Sequence, residues 1–189
     1  VVGYYGVLQP FADALKLVVK EQIIPAQSNK ALFFLAPMIS LVFSLLGWAV
    51  IPFGSGMAIA DLSLGMLFSL AVSSIGIYGA LFAGWAANSK YAFLGSLRST
   101  AQMVSYELIF STCVFTVILM TGSLNFTTIV ESQTAIWFIV PLFPIFIMYL
   151  ISALAELNRT PFDLPEAESE LVSGFMTEHS GMIFVFLSL

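Results

Sequence analysis

The stretch Leu62-Ser63-Leu64-Gly65-Met66-Leu67-Phe68-Ser69-Leu70-Ala71-Val72-Ser73-Ser74-Ile75-Gly76-Ile77-Tyr78-Gly79-Ala80-Leu81-Phe82-Ala83-Gly84-Trp85-Ala86-Ala87 carries no charge at all. It exceeds the about 20 apolar residues that cross roughly 30 Å of hydrocarbon at about 1.5 Å per residue. Three other runs pass the same test. Ala31 to Ile51 and Thr134 to Ala155 are free of charge, and Ser99 to Val130 holds only Glu107. A fifth run begins near Phe175 and meets the terminus. The expected fold is therefore all-α and polytopic: four complete transmembrane helices and a truncated fifth, forming one transmembrane domain over 1–189. Because the chain opens Val1-Val2-Gly3 and closes in a hydrophobic run, it reads as a fragment of a longer protein. Pro37, Pro141 and Pro144 lie inside these runs and predict kinks.

Bulk composition agrees. Hydrophobic residues make up 59% of the chain and charged residues 9%, with a mean hydropathy of +0.99. Soluble domains spend about 25% on charge, so neither a water-facing surface nor a solvated disordered chain fits. A single cysteine, Cys113, excludes an internal disulfide and a thiolate-held cluster or zinc site. The net charge of −5 argues against nucleic acid as a partner, since phosphates demand basic patches.

The basic residues set the orientation. Four crossings put the amino-terminal segment, the 88–98 loop and the 156–174 loop on one side, and there lie Lys16, Lys20, Lys30, Lys90, Arg98 and Arg159, all 6 in the chain. The opposite loops, 52–61 and 122–133, contribute only Asp61 and Glu131. By the positive-inside rule the basic side is bacterial cytosol or mitochondrial matrix. Before the first span, Pro10 to Glu21 predicts a short helix lying along the interface, with Phe11, Leu15 and Val18 on one face and Asp13, Lys16 and Lys20 on the other. Gly76, Gly79 and Gly84 form a small-residue stripe for close helix packing. Trp48, Trp85 and Trp137 stand near span ends as an aromatic belt requires. His179 reads as a capping or interface residue, because no second histidine exists to share a metal.

The acids on the basic side carry the chemistry. Glu156, Asp163, Glu166, Glu168, Glu170 and Glu178 crowd one segment with only Arg159 among them. Like charges at this density titrate as a coupled set, some members exchanging protons near neutral pH. On a helix Glu166 and Glu170 share a face and Glu168 points away. A solvated acidic loop is the plainer alternative, although Leu164, Leu171, Val172 and Phe175 and the prolines Pro161 and Pro165 thread the cluster. Glu107 is the sharpest single residue. Nine positions after Arg98, it is expected about 13 Å into the membrane, where an ionisable side chain needs a polar cavity or a partner. Gln102, Ser105 and Tyr106 are the nearby hydrogen-bonding candidates. A relay from the basic-side loop into the membrane, with Glu156 as a stepping stone, is the functional reading; a purely structural buried acid is the other.

The run Glu156-Leu157-Asn158-Arg159-Thr160-Pro161-Phe162-Asp163-Leu164-Pro165-Glu166-Ala167-Glu168-Ser169-Glu170-Leu171-Val172-Ser173-Gly174-Phe175 closely resembles the signature loop of the subunit 1 family of proton-pumping NADH:ubiquinone oxidoreductase, respiratory complex I. Val2-Gly3-Tyr4-Tyr5-Gly6-Val7-Leu8-Gln9-Pro10-Phe11-Ala12-Asp13 and Leu97-Arg98-Ser99-Thr100-Ala101-Gln102-Met103-Val104-Ser105-Tyr106-Glu107 agree too, in the right order.

The resemblance implies a membrane subunit that forms part of a ubiquinone tunnel, with other membrane-arm and peripheral-arm subunits, ubiquinone and lipid as partners. It implies a quinone site bordered by Asp13, Arg159 and Phe175, and a proton relay through Glu107, Glu156, Glu166, Glu168 and Glu170. It places NADH, FMN and the iron–sulfur clusters in other subunits, with no cofactor bound by this chain alone. The implied location is the mitochondrial inner membrane, or a bacterial plasma membrane. Family members carry a spanning helix and an Arg-Lys-Gly-Pro-Asn segment before the present Val1 and further helices after Leu189, and they favour tyrosine where His179 stands. The membrane anchor of an ion-translocating hydrogenase stays open as an alternative. A stand-alone transporter would need paired inverted halves, and none are seen.

Overall fold

The computed structural model describes residues 2–54, 56–159, 161–162, 174 and 178–188. All regular structure among them is helical: α1 Gln9–Val19, α2 Lys30–Gly47, α3 Gly65–Ala86, α4 Lys90–Thr121, α5 Phe126–Glu131, α6 Phe143–Glu156 and α7 Met182–Ser188, with single 3₁₀ turns at Tyr4–Gly6 and Trp48–Val50. Lipid offers the backbone no hydrogen bonds, so helices that satisfy their own are what such apolar runs form.

Among the described residues three helices are long and apolar enough to cross a membrane: α2 with the turn that follows it (Lys30–Val50), α3, and α4. The fourth expected span is shorter than its apolar run. Pro144 stands in the first turn of α6 and Pro141 before it, where a missing N–H costs nothing. The helix therefore starts at Phe143 and covers about 21 Å at 1.5 Å per residue. These two prolines set a helix start instead of kinking a helix. Pro37 does lie inside α2.

The third run is also displaced. The loop expected at 88–98 is the opening of α4, because Ser89 caps it, accepting from the Ala92 N–H at 3.2 Å. At the other end the left-handed Gly122 (φ 68°) stops the helix, its N–H bonding to the Ile118 carbonyl. Lys90 and Arg98 thus belong to the helix, and Glu107 lies about 25 Å along the axis from Lys90.

The helices pack through small residues. A Cβ on Gly79 would collide with Ser40 of α2, and one on Gly84 with Ser96 of α4. The two close approaches use opposite sides of α3 and make it the central helix, between α2 and α4. Gly76 has ordinary room and is not a contact of this kind. On the far side of α4, Phe110 stacks obliquely on Tyr149 of α6, ring centroids 4.9 Å apart.

The chain ends of the helices are tied together. Asn29 donates its N–H to the Ala86 carbonyl at 3.1 Å, and the Asn88 amide donates to the Gln27 carbonyl at 3.2 Å. The start of α2 is thereby locked to the end of α3. At the opposite end, Asn125 Nδ2 and Thr127 Oγ1 donate to Asp61 Oδ1 at 2.7 and 3.2 Å. Asn125 meanwhile caps α5.

The amino-terminal helix forms as expected, with Pro10 in its first turn. Phe11, Leu15 and Val18 are exposed. α7 is held against this segment by Ser180, whose Oγ accepts from the Ile23 N–H at 3.0 Å. Gly181 (φ 64°) approaches the Lys20 carbonyl so closely that a Cβ would lie 2.8 Å from it. His179 is a buried interface residue, stacked on Phe33 of α2 at 4.2 Å, with Nε2 3.4 Å from the Ala83 carbonyl of α3. Trp48, Trp85 and Trp137 are exposed.

Candidate functional site

Helices α3, α4 and α6 bring a polar cluster together, half-buried at Ser73, Glu107 and Glu156 and exposed at Ser74. It begins with two adjacent residues of α3. Ser73 Oγ donates to Glu156 Oε1 on α6 at 3.1 Å, and Ser74 Oγ donates to Glu107 Oε1 on α4 at 2.5 Å. Successive helical residues point about 100° apart, so neighbouring serines reach acids on two different helices. Both carboxylates are thus held from consecutive positions of α3.

Each acid opens onto its own space. A cavity of about 700 Å³ between α2, α3 and the end of α6 is lined by Ser40, Ser44, Ser69 and Ser73, with Glu156 and Arg159. A groove of similar volume between α3 and α4 is lined by Ser74, Ser105 and Glu107 among apolar residues such as Leu81 and Leu97. α3 is the wall between the two, and its serine pair faces both.

The turn after α6 is built to place Arg159. Asn158 ends the helix in the left-handed region (φ 49°), a conformation asparagine tolerates. Its Nδ2 donates to Ser99 Oγ of α4 at 3.1 Å. Gln102 of α4 donates from Nε2 to the carbonyls of Ala155 and Phe162, at 2.7 and 2.8 Å. Tyr106 lies against the Phe162 ring, centroids 5.7 Å apart. Residues along one stripe of α4 thus clamp Ala155, Asn158 and Phe162.

That clamp corrects the expected partners of Glu107. Gln102 and Tyr106 serve the turn after α6, and Ser105 bonds back to the Ala101 carbonyl at 2.7 Å. Glu107 finds its partner on another helix, in Ser74 of α3. Among the described residues no group of three or more His, Cys, Asp or Glu is arranged to hold a metal ion.

A sequence model for NADH dehydrogenase matches residues 1–189, the whole chain. The chain belongs to the NADH dehydrogenase family. It is 73% identical to NADH-ubiquinone oxidoreductase chain 1 of Mycosarcoma maydis, an alignment covering 100% of this chain and 57% of that one. It is 64% identical to the protein of the same name in Podospora anserina, over 100% of this chain and 51% of that one. A bacterial relative, an NADH-quinone oxidoreductase subunit of Rhodospirillum centenum, is 58% identical over 97% of this chain and 54% of its own length. The chain spans about half the length of these curated relatives.

Membership of the NADH dehydrogenase family agrees with the resemblance found in the sequence. Of the residues that resemblance singled out, the structure brings together Glu107 and Glu156, and puts Arg159 on the Glu156 cavity. Asp13 stands apart on α1, exposed, accepting from Gln9 Nε2 at 3.1 Å. Asp163, Glu166, Glu168, Glu170 and Phe175 lie outside the described residues. Ser73 and Ser74 were missed in the sequence. Their signal was two adjacent hydroxyls at the centre of a charge-free span, where lipid gives a polar group no partner.

Proposed function

We propose that this chain is part of a membrane subunit of NADH:ubiquinone oxidoreductase that contributes to the ubiquinone path and relays protons through buried carboxylates, coupling electron transfer to proton translocation. The observation that carries this reading is the pair of hydrogen bonds from Ser73 and Ser74 to Glu156 and Glu107. Two acids held in register among apolar helices, each opening onto a separate space, have the form of consecutive relay stations. Family membership and the names of the relatives support the larger role.

In this reading residues 134–155 cross as a fourth span, α6 extended by the turns before it, and α7 belongs to a truncated fifth. The basic residues face the matrix or bacterial cytoplasm, α1 lies along that interface, and the location is the mitochondrial inner membrane or a bacterial plasma membrane. Asp13, Arg159 and Phe175 border the quinone, and Glu166, Glu168 and Glu170 continue the relay from Glu156. The redox centres and NADH belong to partner subunits, as one cysteine cannot hold a cluster.

The test is made in the assembled complex. Glu107→Gln and Glu156→Gln each lower NADH-driven quinone reduction or the protons moved per electron pair. Wild-type values of both in either variant refute a relay role for that acid. A photoreactive quinone analogue labels near Asp13 or the acidic loop; an intact complex without label there removes the quinone assignment.

A further inference from the structure

The serines of these helices are satisfied in different ways. Ser44, Ser69, Ser105 and Ser111 each return their proton to a carbonyl three or four residues back, at 2.7 to 2.9 Å, which is how a hydroxyl is satisfied in lipid without a partner. Ser73 and Ser74 instead reach across to other helices. Ser74 also has a second acceptor, the Leu70 carbonyl at 3.0 Å.

A hydroxyl has one proton to give and two lone pairs to offer. With Glu107 ionised, Ser74 donates to the carboxylate. With Glu107 protonated, the Ser74 proton turns to the Leu70 carbonyl and its oxygen accepts the acid's O–H. Either state of Glu107 is then hydrogen-bonded without movement of a helix. No hydrogen bond from Ser73 to a carbonyl of its own helix accompanies its bond to Glu156 among the described residues, so it anchors that acid more one-sidedly.

We propose that Ser73 and Ser74 are positioning residues of the relay, Ser74 acting as a reversible donor and acceptor that serves both protonation states of Glu107 while Ser73 holds Glu156 on the facing cavity. This rests on the relay reading given above. It assigns α3, a helix without a charged residue, the positioning of both relay acids.

The experiment compares Ser73→Ala, Ser74→Ala, Ser74→Thr and Ser74→Cys with Glu107→Gln and Glu156→Gln, all in respiratory membranes containing the assembled complex. Readouts are quinone-reductase turnover, protons moved per electron pair, the pH profile of turnover and the infrared carbonyl band of the protonated acids. Ser74→Ala is expected to lose roughly tenfold in turnover or lower the proton stoichiometry, the size of a lost hydrogen bond to a charged group. It also moves the pH profile and the carbonyl band, and Ser73→Ala shifts the band of Glu156. Ser74→Thr, which keeps the hydroxyl, restores wild-type behaviour to within about twofold, while Ser74→Cys, a weak donor of similar size, is impaired.

Wild-type turnover, stoichiometry and pH profile in both alanine variants overturn the inference, as does a Thr variant as impaired as Ala. If Ser74→Ala fails to assemble, Cys equal to Thr overturns it instead. Impaired glutamine variants beside normal serine variants dismiss the serines alone. Normal glutamine variants dismiss the relay, and this inference with it.

Discussion

Gln102 and Phe162 are joined by a hydrogen bond from the side-chain amide Nε2 to the backbone carbonyl, 2.8 Å long and 60 residues apart in sequence. The same nitrogen holds the Ala155 carbonyl at 2.7 Å, so one side chain of α4 fixes both the last turn of α6 and the segment beyond it. Arg159 lies between these two anchor points. Its place on the Glu156 cavity therefore depends on a residue outside that cavity's lining.

Gln102→Leu is expected to free that turn. Two carbonyls lose their donor, a cost of about 1–3 kcal/mol for groups left unpaired. Limited proteolysis of the assembled complex should cut between residues 157 and 162 faster than in wild type. Gln102→Glu, which keeps length but presents no N–H donor when ionised, should behave likewise.

Gly84→Val should prevent α3 and α4 from closing. The added Cβ meets Ser96 and lies 2.7 Å from the Ala92 carbonyl, a backbone atom that cannot turn aside. Overpacking of this kind costs about 1–3 kcal/mol or more. The amount of assembled complex on a native gel should fall, whereas Gly76→Ala, with 3.9 Å to the nearest neighbour, should assemble normally.

His179 makes stability sensitive to acid. Burial between Phe33 and Ala83, outside the spanning helices, pushes the imidazole below its ordinary value, only partly offset by the Ala83 carbonyl. The unfolded side chain protonates near about pH 6.5 and the folded one only at lower pH. Between those values the unfolded state binds the proton first, so this contribution to stability is present above about pH 6.5 and lost as pH falls. His179→Phe keeps the ring stack and should flatten the decline in melting temperature between about pH 7 and 5. Identical pH dependence in both proteins would dismiss it.

Asp61→Ala should loosen the end of the bundle remote from Arg159 without touching the chemistry. It removes the acceptor of Asn125 and Thr127, in exposed hydrogen bonds, for a loss of roughly 0.5–1 kcal/mol. The melting temperature of the complex should drop slightly while turnover and proton stoichiometry stay at wild-type values. A loss of turnover equal to that of Glu107→Gln would contradict this division between the two acids.

Run length and the scarcity of charge were enough to determine the solvent and the helical class, because a chain in lipid must bond its own backbone. The stripe that includes Gly79 and Gly84 announced close packing, and both glycines meet a serine of the neighbouring helix. Boundaries were harder. Hydropathy does not register a three-residue Ala87-Asn88-Ser89 turn or a proline that starts a helix, so α4 and α6 were displaced or shortened against their apolar runs. Glu107 and Glu156 stood out as acids in apolar sequence, but their serine partners did not. Which faces of α3, α4 and α6 meet depends on the rotation of each helix about its axis. That rotation is decided by small residues meeting across helices and by the clamp from Gln102 to the turn after α6, contacts between residues distant in sequence. Sequence determined that ionisable groups enter the bundle; only tertiary packing decided that Ser73 and Ser74 would hold them, since register between helices is a property of the contacts and not of any one run.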